Sequence, residues 1–184
     1  MDLVSKTGKG GSSLLSFTYN GSYNNMSMKP EIGISEEQLV KNCKTLSVLL
    51  SDEMTLYIKT RKFHWNVQGE SFMELHKLFE GQYKQLEESI DEIAERIGKL
   101  GQKTIGTMQE FGEMTTLKEH AGKYGSSKDT LKELVMDHET IIVKLRDDID
   151  ECGKKNRDAG TTDFLTGLME QHETTAWILR RYLN

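Results

Sequence analysis

The chain has 184 residues, 36% of them hydrophobic and 29% charged, with one proline and a formal charge of −5. That size suits one domain with a sizeable core plus a tail, and the balance excludes a mostly disordered chain. Apolar runs fall far short of the ~20 residues that cross a bilayer, and the negative charge argues mildly against general affinity for nucleic acid but not against cations.

The opening Met1-Asp2-Leu3-Val4-Ser5-Lys6 has no apolar stretch of signal-peptide length, so a cytoplasmic location is expected. Residues 1–33 are rich in Gly, Ser and Asn without an apolar period and read as a flexible tail ahead of a domain at 34–184. The tail sets Lys6, Lys9 and Lys29 against Asp2.

Ser35 with Gln38 is a capping-box pattern, with Ile34 and Leu39 as a possible staple. A helical stripe follows through Leu39, Cys43, Leu46, Leu50, Met54 and Tyr57, ending near Asn66-Val67-Gln68-Gly69. Ser71 with Glu74 reads as a second capping box. It opens the longest apolar period in the chain: Phe72, Leu75, Phe79, Tyr83, Leu86, Ile90, Ile93, Ile97 and Leu100, with Gly101 as the stop.

The segment 101–125 is broken by glycines, with a short helix predicted from Thr107, where Glu110 completes another box. A third long helix is predicted over about 127–152 and a fourth over about 162–183. His138 and His172 fall on their apolar stripes and read as packed, hydrogen-bonded histidines. Cys43 and Cys152 stand alone and read as core thiols. The expectation is an all-α four-helix bundle with a short extra helix in the long middle connection.

Candidate metal ligands cluster around the second helix: His64, His76, Glu80, Asp91 and Glu95. His76 and Glu80 are four residues apart, as are Asp91 and Glu95, so each pair shares a helix face. The two pairs are fifteen residues apart, roughly 22 Å along a helix. One centre therefore cannot join them within one straight helix. Either they serve separate sites, or a symmetry-related copy brings one pair to the other. Carboxylates and imidazoles with open positions suit Fe(II) and Fe(III), while zinc prefers a closed tetrahedron. None of the five histidines follows a glutamate by three positions, so the Glu-x-x-His motif of bundle-core di-iron sites is missing.

The runs His64-Trp65-Asn66-Val67-Gln68-Gly69-Glu70-Ser71-Phe72, Leu75-His76-Lys77-Leu78-Phe79-Glu80 and Asp91-Glu92-Ile93-Ala94-Glu95-Arg96-Ile97 resemble the signature of the Dps mini-ferritins, a ferritin-like family. The likeness extends over about residues 30–184 and includes Ala176-Trp177-Ile178-Leu179-Arg180. The resemblance implies a hollow homododecamer whose di-iron ferroxidase sites lie between subunits. His64, His76 and Glu80 would come from one subunit, and Asp91 and Glu95 from its neighbour. It also implies oxidation of two Fe(II) ions per site, with hydrogen peroxide preferred over dioxygen, storage of ferric mineral and protection from oxidative damage.

In the same family pattern Trp65 lies beside the centre as a potential electron donor, and Asp158 and Asp163 line an iron-entry pore. Some members bind DNA through lysine-rich extensions, which makes Lys6, Lys9 and Lys29 candidate phosphate contacts and a nucleoid location the corresponding alternative. A structural metal such as zinc is a third reading.

Overall fold

Ser35 begins the first helix as its spacing predicts. The Ser35 hydroxyl accepts from the Gln38 amide, and the Gln38 side chain accepts from the Ser35 amide, so two orphan donors of the helix end are satisfied. The computed structural model describes residues 29–183. From Ser35 it runs through α1 (Glu36–Asn66), α2 (Phe72–Lys99), a short α3 (Met108–Met114), α4 (Ser127–Asp150) and α5 (Ala159–Arg181). A π-helical turn, Glu151–Lys155, leads from α4 towards α5. There is no strand among the described residues. Lys6 and Lys9, and nearly all of the expected tail, lie outside them.

α1 packs along α2, and α4 along α5, each pair joined by a short connection. The long link between the pairs carries α3, which packs on α1. Thr107 and Glu110 make the predicted capping box at its start. The core is shared by the four long helices: Leu46, Leu49 and Leu56, then Phe79, Ile93 and Ile97, then Leu134, Ile141 and Leu145, then Leu165 and Leu179, all fully buried. Each such side chain stabilises by about 1.5–3 kcal/mol. That exceeds the few tenths that separate most residues in helix propensity, so packing of these faces holds the bundle together. No helix is long and apolar enough to cross a membrane among the described residues.

Three local expectations need correction. Met54 and Tyr57 are only partly buried; the buried line of α1 instead passes through Leu49, Glu53, Leu56 and Thr60. Glu53 is polar, and that hid the true phase of the stripe. Ser71 makes no side-chain cap, because its backbone (φ −91°, ψ 21°) is not extended. Glu74 accepts from the Tyr182 hydroxyl instead. α5 starts at Ala159, earlier than expected, because Asp158 is its N-cap and accepts from the Thr161 amide.

Cys43 and Cys152 are free and buried as expected. Burial pushes their thiols up to about 11 and about 12 respectively. His138 and His172 are buried against each other.

Candidate metal centre

The turn after α1 reverses the chain so that the last residues of α1 face the first turns of α2. His64 and His76 meet across it, their rings stacked at 3.7 Å between centroids. The His64 Nδ1 lies 2.7 Å from the His76 carbonyl oxygen, and the His76 Nδ1 lies 2.9 Å from the His64 carbonyl oxygen. A carbonyl can only accept, so in both rings Nδ1 carries the proton when the ring is neutral. Both Nε2 lone pairs remain for a metal. This is the way metal-binding histidines are oriented by a partner at their other nitrogen. The exchange also caps a carbonyl in the last turn of α1, where helical partners run out.

Glu80 follows one turn after His76 on the same face. Lys84 bonds it at 2.5 Å. That hydrogen bond, and then the lysine charge, hold the Glu80 carboxyl below its usual range, with smaller pulls from His64 and His76. Glu80 is thus an ionised, partly exposed donor beside two imidazoles.

Asp91 and Glu95 lie farther along α2, both exposed, with Glu95 paired to Lys99 at 3.0 Å. Asp91 sits in an open groove between α1 and α2 with Met54, Tyr57 and Lys84. α2 is unbroken from Phe72 to Lys99, so His76 and Asp91 stay roughly 22 Å apart. Among the described residues no three His, Cys, Asp or Glu side chains are grouped to hold a metal ion. One subunit brings His64 and His76 together, with Glu80 one turn further along α2 and bonded to Lys84, and leaves Asp91 and Glu95 well away from them.

Trp65 is 62% exposed, and the Arg61 guanidinium lies 5.4 Å from its ring centre. The same guanidinium lies over Tyr57 and, at 4.9 Å, over Tyr83. The Tyr83 ring meets His64 edge-on at 5.3 Å. Arg61 carried no expectation from the sequence, and Tyr83 was expected only as part of the apolar stripe of α2. The available signal was spacing, since Arg61 is one turn before His64 and Tyr83 two turns after His76.

Of the two expected pore residues, Asp163 is exposed, on a surface shared with Glu92. Asp158 is 2% exposed. Its carboxylate accepts from Asn42, Arg96 and both the amide and hydroxyl of Thr161, so in this subunit it closes a buried network and does not face an opening. Lys29, a candidate DNA contact, is ion-paired with Glu36 at 2.7 Å.

Comparison with known proteins agrees with this architecture. Residues 43–184 match the ferritin-like domain family. An uncharacterized low temperature-induced protein of Nostoc sp. is 47% identical over 152 residues, 83% of this chain and 85% of that protein. DNA protection during starvation protein 2 of Bacillus anthracis is 37% identical over 142 residues, 77% of this chain and 95% of that protein. Among solved structures, the Dps protein of Vibrio cholerae O1, described as a ferritin-like diiron-carboxylate protein, superposes with a TM-score of 0.80 at 29% identity. The match covers 85% of this chain and 97% of that one. The bundle architecture and these matches lead to one assignment: the chain belongs to the Dps family of ferritin-like proteins.

Proposed function

We propose that this protein is a ferroxidase and iron store that oxidises Fe(II) at sites completed between two copies of the chain. The observation that carries the reading is the mutual pinning of His64 and His76, which leaves both Nε2 atoms available. His64, His76 and Glu80 of one subunit and Asp91 and Glu95 of its neighbour would together hold two Fe(II) ions as substrate. Mixed imidazole and carboxylate donors suit iron in both oxidation states. Hydrogen peroxide is the oxidant of choice: two Fe(II), one peroxide and two protons give two Fe(III) and two waters.

The chain's own residues bind and orient. The two histidines offer neutral donors in fixed orientation. Glu80 is ionised well into acid conditions and must release Lys84 to ligate. Asp91 and Glu95 bring negative charge that offsets the incoming cations. Trp65, next to His64 in the chain, would serve as an electron donor, and the exposed Asp163 would draw cations toward an entry pore. Ferric mineral would collect inside a homododecamer, in the cytoplasm, and removal of Fe(II) with peroxide would protect the cell from oxidative damage. The relatives named for DNA protection support DNA as a partner only for themselves; on this chain Lys29 is already paired with Glu36.

The test is anaerobic addition of Fe(II) followed by peroxide, with ferric absorbance followed in wild type and Asp91→Ala. Fast oxidation that the variant loses is expected. Equal, slow oxidation in both would overturn the reading and leave a structural metal such as zinc as the alternative.

A further inference from the structure

A cleft of about 690 Å³ opens between α4 and the segment that leads into it, with Lys59 and Phe63 of α1 among its lining residues. None of the candidate iron ligands lines it. Its loop wall is tied down by α1. Asp52, fully buried, accepts from the Thr115 hydroxyl and from both the amide and the hydroxyl of Thr116. Lys59 donates to the Lys118 carbonyl, and Lys62 to that of His120. Asp52, Lys59 and Lys62 are seven and three residues apart, so one face of α1 holds the strap. A connecting segment is ordinarily mobile; this one is a fixed wall. A preformed concave site of this size suits a small ligand.

The charges of the cleft are unevenly spent. Lys118 and Lys123 come from the loop wall and Lys132 from α4. All three are exposed, and none makes an ion pair or a side-chain hydrogen bond among the described residues. Lysines elsewhere, such as Lys41, Lys84, Lys99 and Lys144, each hold an acid on their own helix. The acids of the cleft, in contrast, are committed. Asp129 closes the capping box with Ser126. Glu133 and Asp137 lie on the one buried ammonium of Lys59, at 3.0 and 2.6 Å. Bonds from Ser126 hold the Asp129 carboxyl below its usual range, and Lys132 and Lys123 add smaller pulls, so the two lysines act on the same part of the cleft from opposite walls. Three ammonium groups without partners on two walls repel one another and favour an anion between them. A lone carboxylate is too small to meet all three. A phosphate chain spreads its charge over many oxygens, and lysine is a usual point-charge partner for phosphate.

We propose that this cleft binds a small ligand carrying a di- or triphosphate chain. Lys118, Lys123 and Lys132 are its cations, and Phe63, Leu117 and Met136 supply apolar surface for an organic part. Free pyrophosphate and a nucleoside diphosphate share this chemistry. The site does not depend on iron oxidation.

Calorimetric titration of assembled, metal-free, full-length protein at low salt is the test, with pyrophosphate alone and ADP alone as probes. One equivalent per chain is expected, with a dissociation constant below about 1 mM, and added salt should weaken it. Tighter binding of ADP assigns the cleft to a nucleotide; equal affinities assign it to the free phosphate chain. Lys118→Gln/Lys123→Gln/Lys132→Gln should weaken binding by at least about tenfold. Its side chains are exposed, and circular dichroism checks its helices. Lys44→Gln/Lys77→Gln/Lys103→Gln removes the same charge from exposed lysines outside the cleft and should leave binding unchanged. Absence of binding by both probes overturns the proposal, as does an equal loss in the two triple variants or no loss in the first. Wild-type crystals soaked in pyrophosphate decide without any variant: phosphate density between Lys118 and Lys132 supports the site, and density only elsewhere, or none, overturns it.

Discussion

His64 and His76 each bond the other's main-chain carbonyl through Nδ1, so each ring is held by the backbone of the other residue. Their readiness for a metal is a joint property of the α1–α2 turn, while Asp91 and Glu95 lie far along the same helix. If sites form only between subunits, two dead variants should revive each other. His64→Ala/His76→Ala and Asp91→Ala/Glu95→Ala should each oxidise Fe(II) at least about tenfold more slowly than wild type. In randomly mixed assemblies built on twofold interfaces, about a quarter of the sites regain every ligand. Initial rates on verified mixed assemblies measure this, and no recovery would sink the intersubunit arrangement.

Lys84 competes with iron for Glu80 but also keeps it ionised, mainly through the hydrogen bond. Replacing it with methionine removes both effects. At neutral pH, Lys84→Met should bind Fe(II) more tightly, because no ion pair must break. Its acid limb of activity should move to higher pH, because Glu80 returns toward its ordinary carboxyl range. The pair is exposed, so added salt should shrink the difference between the two proteins. A pH–rate profile that is superimposable on wild type would remove Glu80 from the set.

Much of this was legible in the sequence, for physical reasons. Ser35/Gln38 and Thr107/Glu110 were readable because capping is local and needs only residues three apart. The α2 stripe was readable because Leu75, Phe79, Leu86, Ile93 and Ile97 recur at helical spacing on its buried side, with only Gln82 and Ser89 as polar interruptions. Glu53 was not, since a glutamate on a buried face breaks an apolar pattern and its partner His172 is distant in sequence. Asp158 looked like a surface acid for a related reason: Asn42 and Arg96, which bury it, come from other helices. The separation of the candidate pairs His76/Glu80 and Asp91/Glu95 was legible from spacing, because a continuous helix fixes distance.

Gly101 ends α2 with φ +82°, where any side chain is strained, and a Cβ there would lie 2.6 Å from Pro30 Cδ. The proline ring packs where that side chain would go, so the segment before α1 rests on the end of α2. Gly101→Ala should cost about 1–3 kcal/mol from the backbone and the clash together, a fall of a few degrees in melting temperature, on the order of 2–4 °C per kcal/mol. Pro30→Ala in the same chain should recover part of it. No recovery would mean that the backbone strain alone sets the cost.

Asp158 separates a structural role from a pore role. Burial raises its carboxyl, but bonds from Thr161, Asn42 and Arg96 outweigh that and hold it below the usual aspartate range. A depressed folded value adds stability that is fully present above the unfolded value of about 3.9 and is lost as pH falls through the lower folded value. Asp158→Ala removes a helix cap and leaves Arg96 without its acidic partner, with only the Thr161 hydroxyl remaining, so it should destabilise by about 3 kcal/mol at neutral pH. Asp158→Asn should lose part of that, and its gap from wild type should close as the pH is lowered below the ordinary aspartate range. Asp163→Ala, on an exposed residue, should leave stability within about 0.5 kcal/mol and slow iron uptake instead. Denaturant midpoints at several pH values, at one protein concentration, decide it. An Asp158→Ala protein as stable as wild type, with slowed iron entry, would return that residue to the pore.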